Sequence, residues 1–385
     1  MTRRRRSEAR FDDLTTNPID PVRGFLPAQD PLERLPKFYE VWESLGADVA
    51  ALLMTGRLRE ALERLTPLSI GKLRNEGERE RATLILSVLA NAYVWAGAKP
   101  ATHIPKSIAM PLYQLAELVG RPPITTYASI VLNNWRRLDK SGSIELNNLA
   151  CRQLFVGGID EQWFYLVSVE IEAKGAPALP ALVAAQRAVS SGQVDDVLSH
   201  LKTIASVIEV ITGTLMRMYE NCDPHIFYHR IRPYLTGWNA PGVVYEGVTD
   251  KPLKFYGGSA AQSPLLQALD AALGVRHTDQ DTNPYLLEMR RYMSPPHRQF
   301  IEALECGPSI RHFVLGRQNT HEELCAVYNQ CVRFLEDFRC KHMEMAVHYI
   351  THQAPKGVEA QGTGGTKFST FLGKSIKETR DQLIE

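Results

Sequence analysis

The chain has 385 residues, enough for two domains at roughly 150 residues each, and it balances 44 Lys and Arg against 43 Asp and Glu. A balance of that kind argues against nucleic acid or an anionic membrane as the main partner, and no apolar run approaches the ~20 residues that span a bilayer. Hydrophobic residues at 44% and charged residues at 23% exclude wholesale disorder. Six cysteines without a C-x-x-C pair read as reduced thiols in a cytoplasmic protein.

Arg3 to Arg6 are basic, but the polar run from Ser7 to Thr16 follows where a secretory signal needs an apolar core, so the run reads as a solvated terminus. Periodicity near 3.6 then predicts helices over 36–54, 58–65, 76–96, 109–118 and 124–138, with connections rich in Pro, Gly and Lys. The first four form a smaller N-terminal helical domain over residues 1–120. In the larger domain, 121–385, a long helix over 194–222 carries Val197, Leu201, Ile204, Ile208, Ile211, Leu215 and Met218 at steps of three and four. Short alternating strand patterns are almost absent, so the predicted fold class is all-α. Two irregular stretches, 236–264 and 353–366, exceed what helix connections need and are expected to be functional loops. The second ends in Gly362-Thr363-Gly364-Gly365-Thr366. No Lys-Ser/Thr pair follows it in phosphate-loop register, so it reads as a glycine lid ahead of a last helix over 368–384. Ser294 and Pro295 read as the cap and first residue of another helix.

Thr320-His321-Glu322-Glu323 fits a capping box, and Leu324, Tyr328, Cys331, Leu335, Phe338, His342, Met345 and Tyr349 follow on one helix face. His342 therefore stands on an apolar face, either as a hydrogen-bonded core histidine or as a metal ligand able to hold a haem iron from one side. His348 and His352 have the i, i+4 spacing of a zinc pair but lack a third ligand, and solvated histidines near a helix end are the simpler reading. His225, His229, Arg230 and Arg232 open a helix where a cation could bind a carboxylate.

In their order along the chain, several segments resemble the indoleamine 2,3-dioxygenase family of haem proteins. They are Tyr127-Ala128, Val131-Leu132, Asn134-Trp135, Leu166-Val167-Ser168, Tyr234-Leu235, Gly237-Trp238, Val244-Tyr245-Glu246-Gly247, Gly257-Gly258-Ser259-Ala260, Met289-Arg290-Arg291-Tyr292-Met293, His297-Arg298, Arg339, His342 and the 362–366 loop. The resemblance runs from about residue 127 to the C-terminus and implies a large helical haem domain capped by a smaller one. It implies haem b, ferrous in the active form, with His342 as the proximal iron ligand and Arg339 on the haem side, paired with Asp270. For the substrate pocket it implies Tyr127, Phe164, Ser168, Phe227, Arg232, Ser259, Ala260 and Thr363. Phe164 and Phe227 would face an indole ring, Arg232 would hold a carboxylate, Ser259 and Ala260 would lie at the haem edge, and Thr363 would close the site. Ser168 and Arg232 are the two assigned directly to the chemistry. Tryptophan 2,3-dioxygenases are expected to carry a histidine at the position of Ser168; a serine is no strong base, so orientation and polarity are the protein's contribution. The activity implied is insertion of both atoms of O2 across the indole C2–C3 bond of L-tryptophan, giving N-formylkynurenine for the kynurenine pathway, with an electron donor keeping the haem ferrous. Two other readings share these residues: a haem enzyme acting on another indole derivative in secondary metabolism, and a haem-binding protein with little turnover. Departures from the family pattern include Ile130 in place of a cysteine of mammalian members, Ala261 in place of a glycine, and Ser294-Pro295-Pro296-His297 where the family reads Pro-Pro-Ala-His.

Overall fold

The structure, a computed structural model, describes residues 19–277, 282–355, 362 and 368–385. The N-terminal helices are α1 (Glu40–Ala47), α2 (Val49–Met54), α3 (Leu58–Glu63), α4 (Glu76–Trp95) and α5 (Lys106–Val119). The single helix expected over 36–54 is thus a short 3-10 turn followed by two helices. Next come α6 (Ile159–Gly175), α7 (Ala178–Ser191), α8 (Val194–Met216), α9 (Pro264–Leu273), α10 (Thr282–Arg290), α11 (Pro295–Cys306), α12 (Ile310–Leu315), α13 (Glu322–Ala346) and α14 (Phe368–Arg380). The fold is all-α as expected, and no described helix is long and apolar enough to cross a membrane.

Helix α8 packs against α6, α7 and α13. Its residues Val197, Leu201, Ile204, Ile208 and Ile211 are fully buried, as the periodicity predicts. Helix α4 is of another kind: every residue from Glu80 to Val94 is buried, so it has no wet face. The reason is its position. Helices α1, α3 and α5 cover one part of its surface, and residues 128–132 and 232–235 cover another. Asn91 Nδ2 donates to the Tyr234 carbonyl at 2.9 Å and Trp95 Nε1 to the Thr236 carbonyl at 3.1 Å, joining α4 to the later part of the chain.

Two expectations fail locally. Residues 124–138 do not form one helix: a π-helical turn (Ala128–Leu132) is followed by β2 (Trp135–Arg137), which pairs antiparallel with β3 (Leu149–Cys151). The long stretch 236–264 contains β4 (Trp238–Tyr245) and β5 (Leu253–Phe255), and with β1 (His103–Ile104) they form a sheet in the order β1-β4-β5. Its Pro and Gly content hid the strands. Two of those glycines permit a crossing that side chains would block: a Cβ on Gly237 would lie 2.3 Å from the Phe255 carbonyl oxygen, and one on Gly257 only 2.0 Å from that of Leu235. The capping box is also not formed. Helix α13 starts after His321, and the Thr320 hydroxyl donates instead to the Arg317 carbonyl at 3.2 Å.

Buried charges in the N-terminal part are matched in pairs. Arg81 holds Glu43 at 2.7 Å, and Arg121 holds both oxygens of Glu80 at 2.8 and 2.6 Å while reaching Ser294 Oγ, the cap of α11, at 2.9 Å. Breaking such a pair from one side strands a buried charge. Arg121→Met is therefore expected to lower unfolding stability by about 3–5 kcal/mol, read by guanidinium denaturation. The Glu80→Met, Arg121→Met double variant should recover most of that loss; equal losses would mean the pair carries no coupling.

Candidate active site

Helix α6 is buried almost all round, but Phe164, Ser168 and Ile171, at helical spacing, face a cavity. From α13 the same cavity receives Phe338, Arg339, His342, Met345 and Ala346. The cavity has a volume of about 270 Å³. The 258–263 loop, α9, α10 and α14 supply much of the rest of its wall, and three π-helical turns, Ala128–Leu132, Phe227–Ile231 and Val347–Thr351, add Ile130 and Val131, Phe227, and Tyr349 and Ile350. Such turns recur at functional sites because their i→i+5 hydrogen bonds widen the helix locally, here Asn133 N–H to the Ala128 carbonyl and His352 N–H to that of Val347.

Tyr127, Phe164, Ser168, Phe227, Arg232, Ser259, Ala260, Arg339 and His342 all line this one cavity. Thr363, expected to close it, lies outside the described residues, and of the 362–366 loop only Gly362 is described, at the cavity wall. Phe164 and Phe227 meet with ring centroids 4.6 Å apart. The Arg232 guanidinium carbon lies 5.3 Å from the Tyr228 ring centre, and burial lowers its pKa from the usual value. Of the cationic cluster read from the sequence, only Arg232 reaches the cavity; His225 and His229 are exposed, with ring centroids 4.4 Å apart and planes tilted by 49°. His348 and His352 are exposed as well.

The Gly-rich loop is fixed to the wall by a residue the sequence did not single out. Gln262, 1% exposed, accepts from the Tyr127 N–H at 2.9 Å and donates to the Gly257 carbonyl at 2.9 Å. Ser259 Oγ accepts from the Ala261 N–H at 3.3 Å. A Cβ on Gly258 would lie 2.9 Å from Ile130 Cδ1, so Ile130 already occupies the space beside the loop.

His342 has no hydrogen-bond partner among the described residues. Burial, assisted by the Arg339 charge, holds its pKa down at about 4, so at neutral pH it is an uncharged imidazole with a free lone pair. An apolar wall, a neutral imidazole and no competing partner fit the donor set of a haem iron. Below it Arg339 Nη2 contacts both oxygens of Asp270 at 2.6 Å, and Nη1 donates to Thr379 Oγ1 of α14 at 2.7 Å. His277, likewise unread in the sequence, bridges Asp270 at 3.3 Å and Glu378 at 2.7 Å, tying α9 to α14 beneath the cavity.

A model of the indoleamine 2,3-dioxygenase family matches residues 13–382. The chain is 36% identical to mouse indoleamine 2,3-dioxygenase 1 over 393 residues, covering 96% of this chain and 95% of the relative. It is 35% identical to human indoleamine 2,3-dioxygenase 2, at 94% and 92% coverage, and 37% identical to indoleamine 2,3-dioxygenase acdA of Aspergillus candidus, at 94% of each. The chain belongs to the indoleamine 2,3-dioxygenase family of haem dioxygenases.

The charge network under the cavity has a defined pH dependence. Burial opposes both charges, but the Arg339 and His277 cations outweigh it for Asp270, whose pKa falls, and the two carboxylates outweigh it for His277, whose pKa rises above 6.5. The Asp270 contribution is present above 3.8 and lost as pH falls through its depressed pKa; that of His277 is complete below 6.5 and lost as pH rises through its elevated one. His277→Gln should therefore cost about 1.5–3 kcal/mol at pH 6, with the gap from wild type closing as pH rises above 6.5. Urea denaturation across that range reads it, and a pH-independent gap would contradict the charge assignment.

Proposed function

We propose that the chain inserts both atoms of O2 across the C2–C3 bond of the indole ring of L-tryptophan, with a haem b held by His342, to give N-formylkynurenine. The observation that carries this reading is the meeting, in one cavity, of a neutral histidine with no partner among the described residues, the Phe164 and Phe227 faces and the Arg232 guanidinium. Ferrous haem, when bound, supplies the activation of dioxygen. The chain's own residues bind and orient. Phe164 and Phe227 hold the indole ring by apolar and π contact. Arg232, poorly hydrated where it stands, receives the amino-acid carboxylate, a partner that a buried guanidinium binds in two-point geometry. Ser168 and Ser259 give the wall polar contacts without a strong base, and Arg339, neutralised by Asp270, sets the orientation of the helix turn that bears His342. Six free cysteines support a reducing, cytoplasmic setting in which an electron donor keeps the iron ferrous.

His342→Ala should purify without a normal Soret band and with little haem, whereas full occupancy would exclude the ligand. Arg232→Ala should lower kcat/KM for L-tryptophan about 10²-fold or more while changing turnover of tryptamine, which lacks the carboxylate, far less; equal losses on both substrates would remove Arg232 from that role. With labelled dioxygen, mass spectrometry of the product should find two labelled atoms in N-formylkynurenine, and an unlabelled or singly labelled product would overturn the reaction.

A further inference from the structure

Glu172 lies one helical turn beyond Ser168 on α6, behind the cavity wall and only 1% exposed. Its Oε1 accepts from the Tyr127 hydroxyl at 3.0 Å and from the Ser263 hydroxyl at 2.7 Å, whereas its Oε2 is buried with no partner. Ser168 lines the same stretch of wall one turn before Glu172. Two hydroxyls that line the cavity, those of Tyr127 and Ser263, thus depend on one carboxyl that does not.

What the cavity meets depends on the proton of that carboxyl. A carboxylate only accepts hydrogen bonds. It draws the Tyr127 and Ser263 hydrogens toward itself and leaves their lone pairs facing inward. A carboxylic acid brings a hydrogen of its own, so one hydroxyl accepts from it and turns its hydrogen to the cavity. No cation compensates the ionised form. Among the described residues, Tyr127 is the one titratable neighbour acting on Glu172, whether from its own helix, the 128–132 turn, the 259–263 loop or the helices packed on α6. Burial accordingly pushes its pKa up to about 7, against the two hydroxyl hydrogen bonds.

We propose that Glu172 is a positioning residue whose proton, taken from and returned to solvent, sets whether Tyr127 and Ser263 offer a hydrogen or only lone pairs to the cavity. No bond of the substrate changes in this step, and nothing is oxidised or reduced. Below about pH 7 one of these two hydroxyls donates to the cavity; above it both only accept. The inference rests on the haem reading for its most direct probe, carbon monoxide bound to the reduced protein, whose C–O stretch responds to a donor or a lone pair beside it.

In wild-type protein the stretch should shift between two bands with a midpoint near pH 7. Glu172→Gln carries both a donor and an acceptor at every pH, so it should hold one band throughout. Tyr127→Phe should remove the part of the shift that passes through the phenol. For L-tryptophan, kcat should fall above the same midpoint with KM changed less, and that fall should be absent in Glu172→Gln. A wild-type band that does not move, or a midpoint that survives Glu172→Gln, would overturn the proposal. Protein without a Soret band would overturn the haem reading instead. The carboxylic acid C=O band of Glu172, assigned by its loss in Glu172→Gln, then carries the test: present at pH 6 and gone at pH 8 as expected, unchanged if the proposal is wrong.

Discussion

A half-buried imidazole on an apolar helix face, facing a cavity without a hydrogen-bond partner among the described residues, sets the terms for the rest of this molecule. Burying a polar group unpaired is unfavourable, and the cost is offset only where something takes up the lone pair, so the wall around His342 is a site rather than a finished core. Aiming that lone pair requires a helix that cannot roll. Helix α13 is pinned before His342 by the Tyr328 hydroxyl, which donates to the Leu273 carbonyl at 2.8 Å, and by Cys331, which contacts the Leu201 carbonyl at 3.2 Å. Just beyond the helix, the Tyr349 hydroxyl donates to the Cys222 carbonyl at 2.6 Å. Arg339 completes the restraint through Asp270 and Thr379.

The same demand shapes the electrostatics. The surface charge of the chain nearly cancels, and the buried charges near the site are matched locally: Arg339 with Asp270, Asp270 and Glu378 with His277, Arg121 with Glu80. Matching these groups keeps the field across the cavity low; Arg232 faces the cavity from the 232–235 helix, and under the proposed function it receives the substrate's anionic group. Glu172 is treated differently. It is buried among hydroxyls without a cation, and the result is a group poised between two protonation states near neutrality. An ion pair would have fixed it as a carboxylate.

The long regular helices were legible because their burial is one-sided. Helices α8 and α13 carry their apolar stripe at strict spacing, and His342 could be placed on that stripe from the sequence alone. Helix α4 was legible as a helix but not as a wholly buried one, because partners on several sides leave no polar face to contrast with. The turn at 128–132 was read as ordinary helix, since a single i→i+5 widening leaves the apolar spacing almost intact. The strands at 238–245 and 253–255 were missed because close backbone crossing demands glycine at 237 and 257, a composition that reads as loop. Glu172, Gln262 and His277 gave no local signal. Each acts on residues far away in sequence, and only the fold brings Glu172 to Ser263 or His277 to Glu378.

Three π-helical turns help to make room for the cavity in this fold. A regular helix presents side chains at fixed intervals, and close-packed helices close the space between them. Widening one turn at 128–132, 227–231 and 347–351 moves the wall outward where these segments meet the site. Part of the cavity's room is therefore written into the backbone, and side chains trim it. Ile130, set against Gly258, takes up space within a cavity whose presence does not depend on it. Ile130 comes from a different segment of the cavity lining than His342, Arg339 and Asp270, so under the proposed function a substitution there changes which ring fits without touching the residues that would hold the haem.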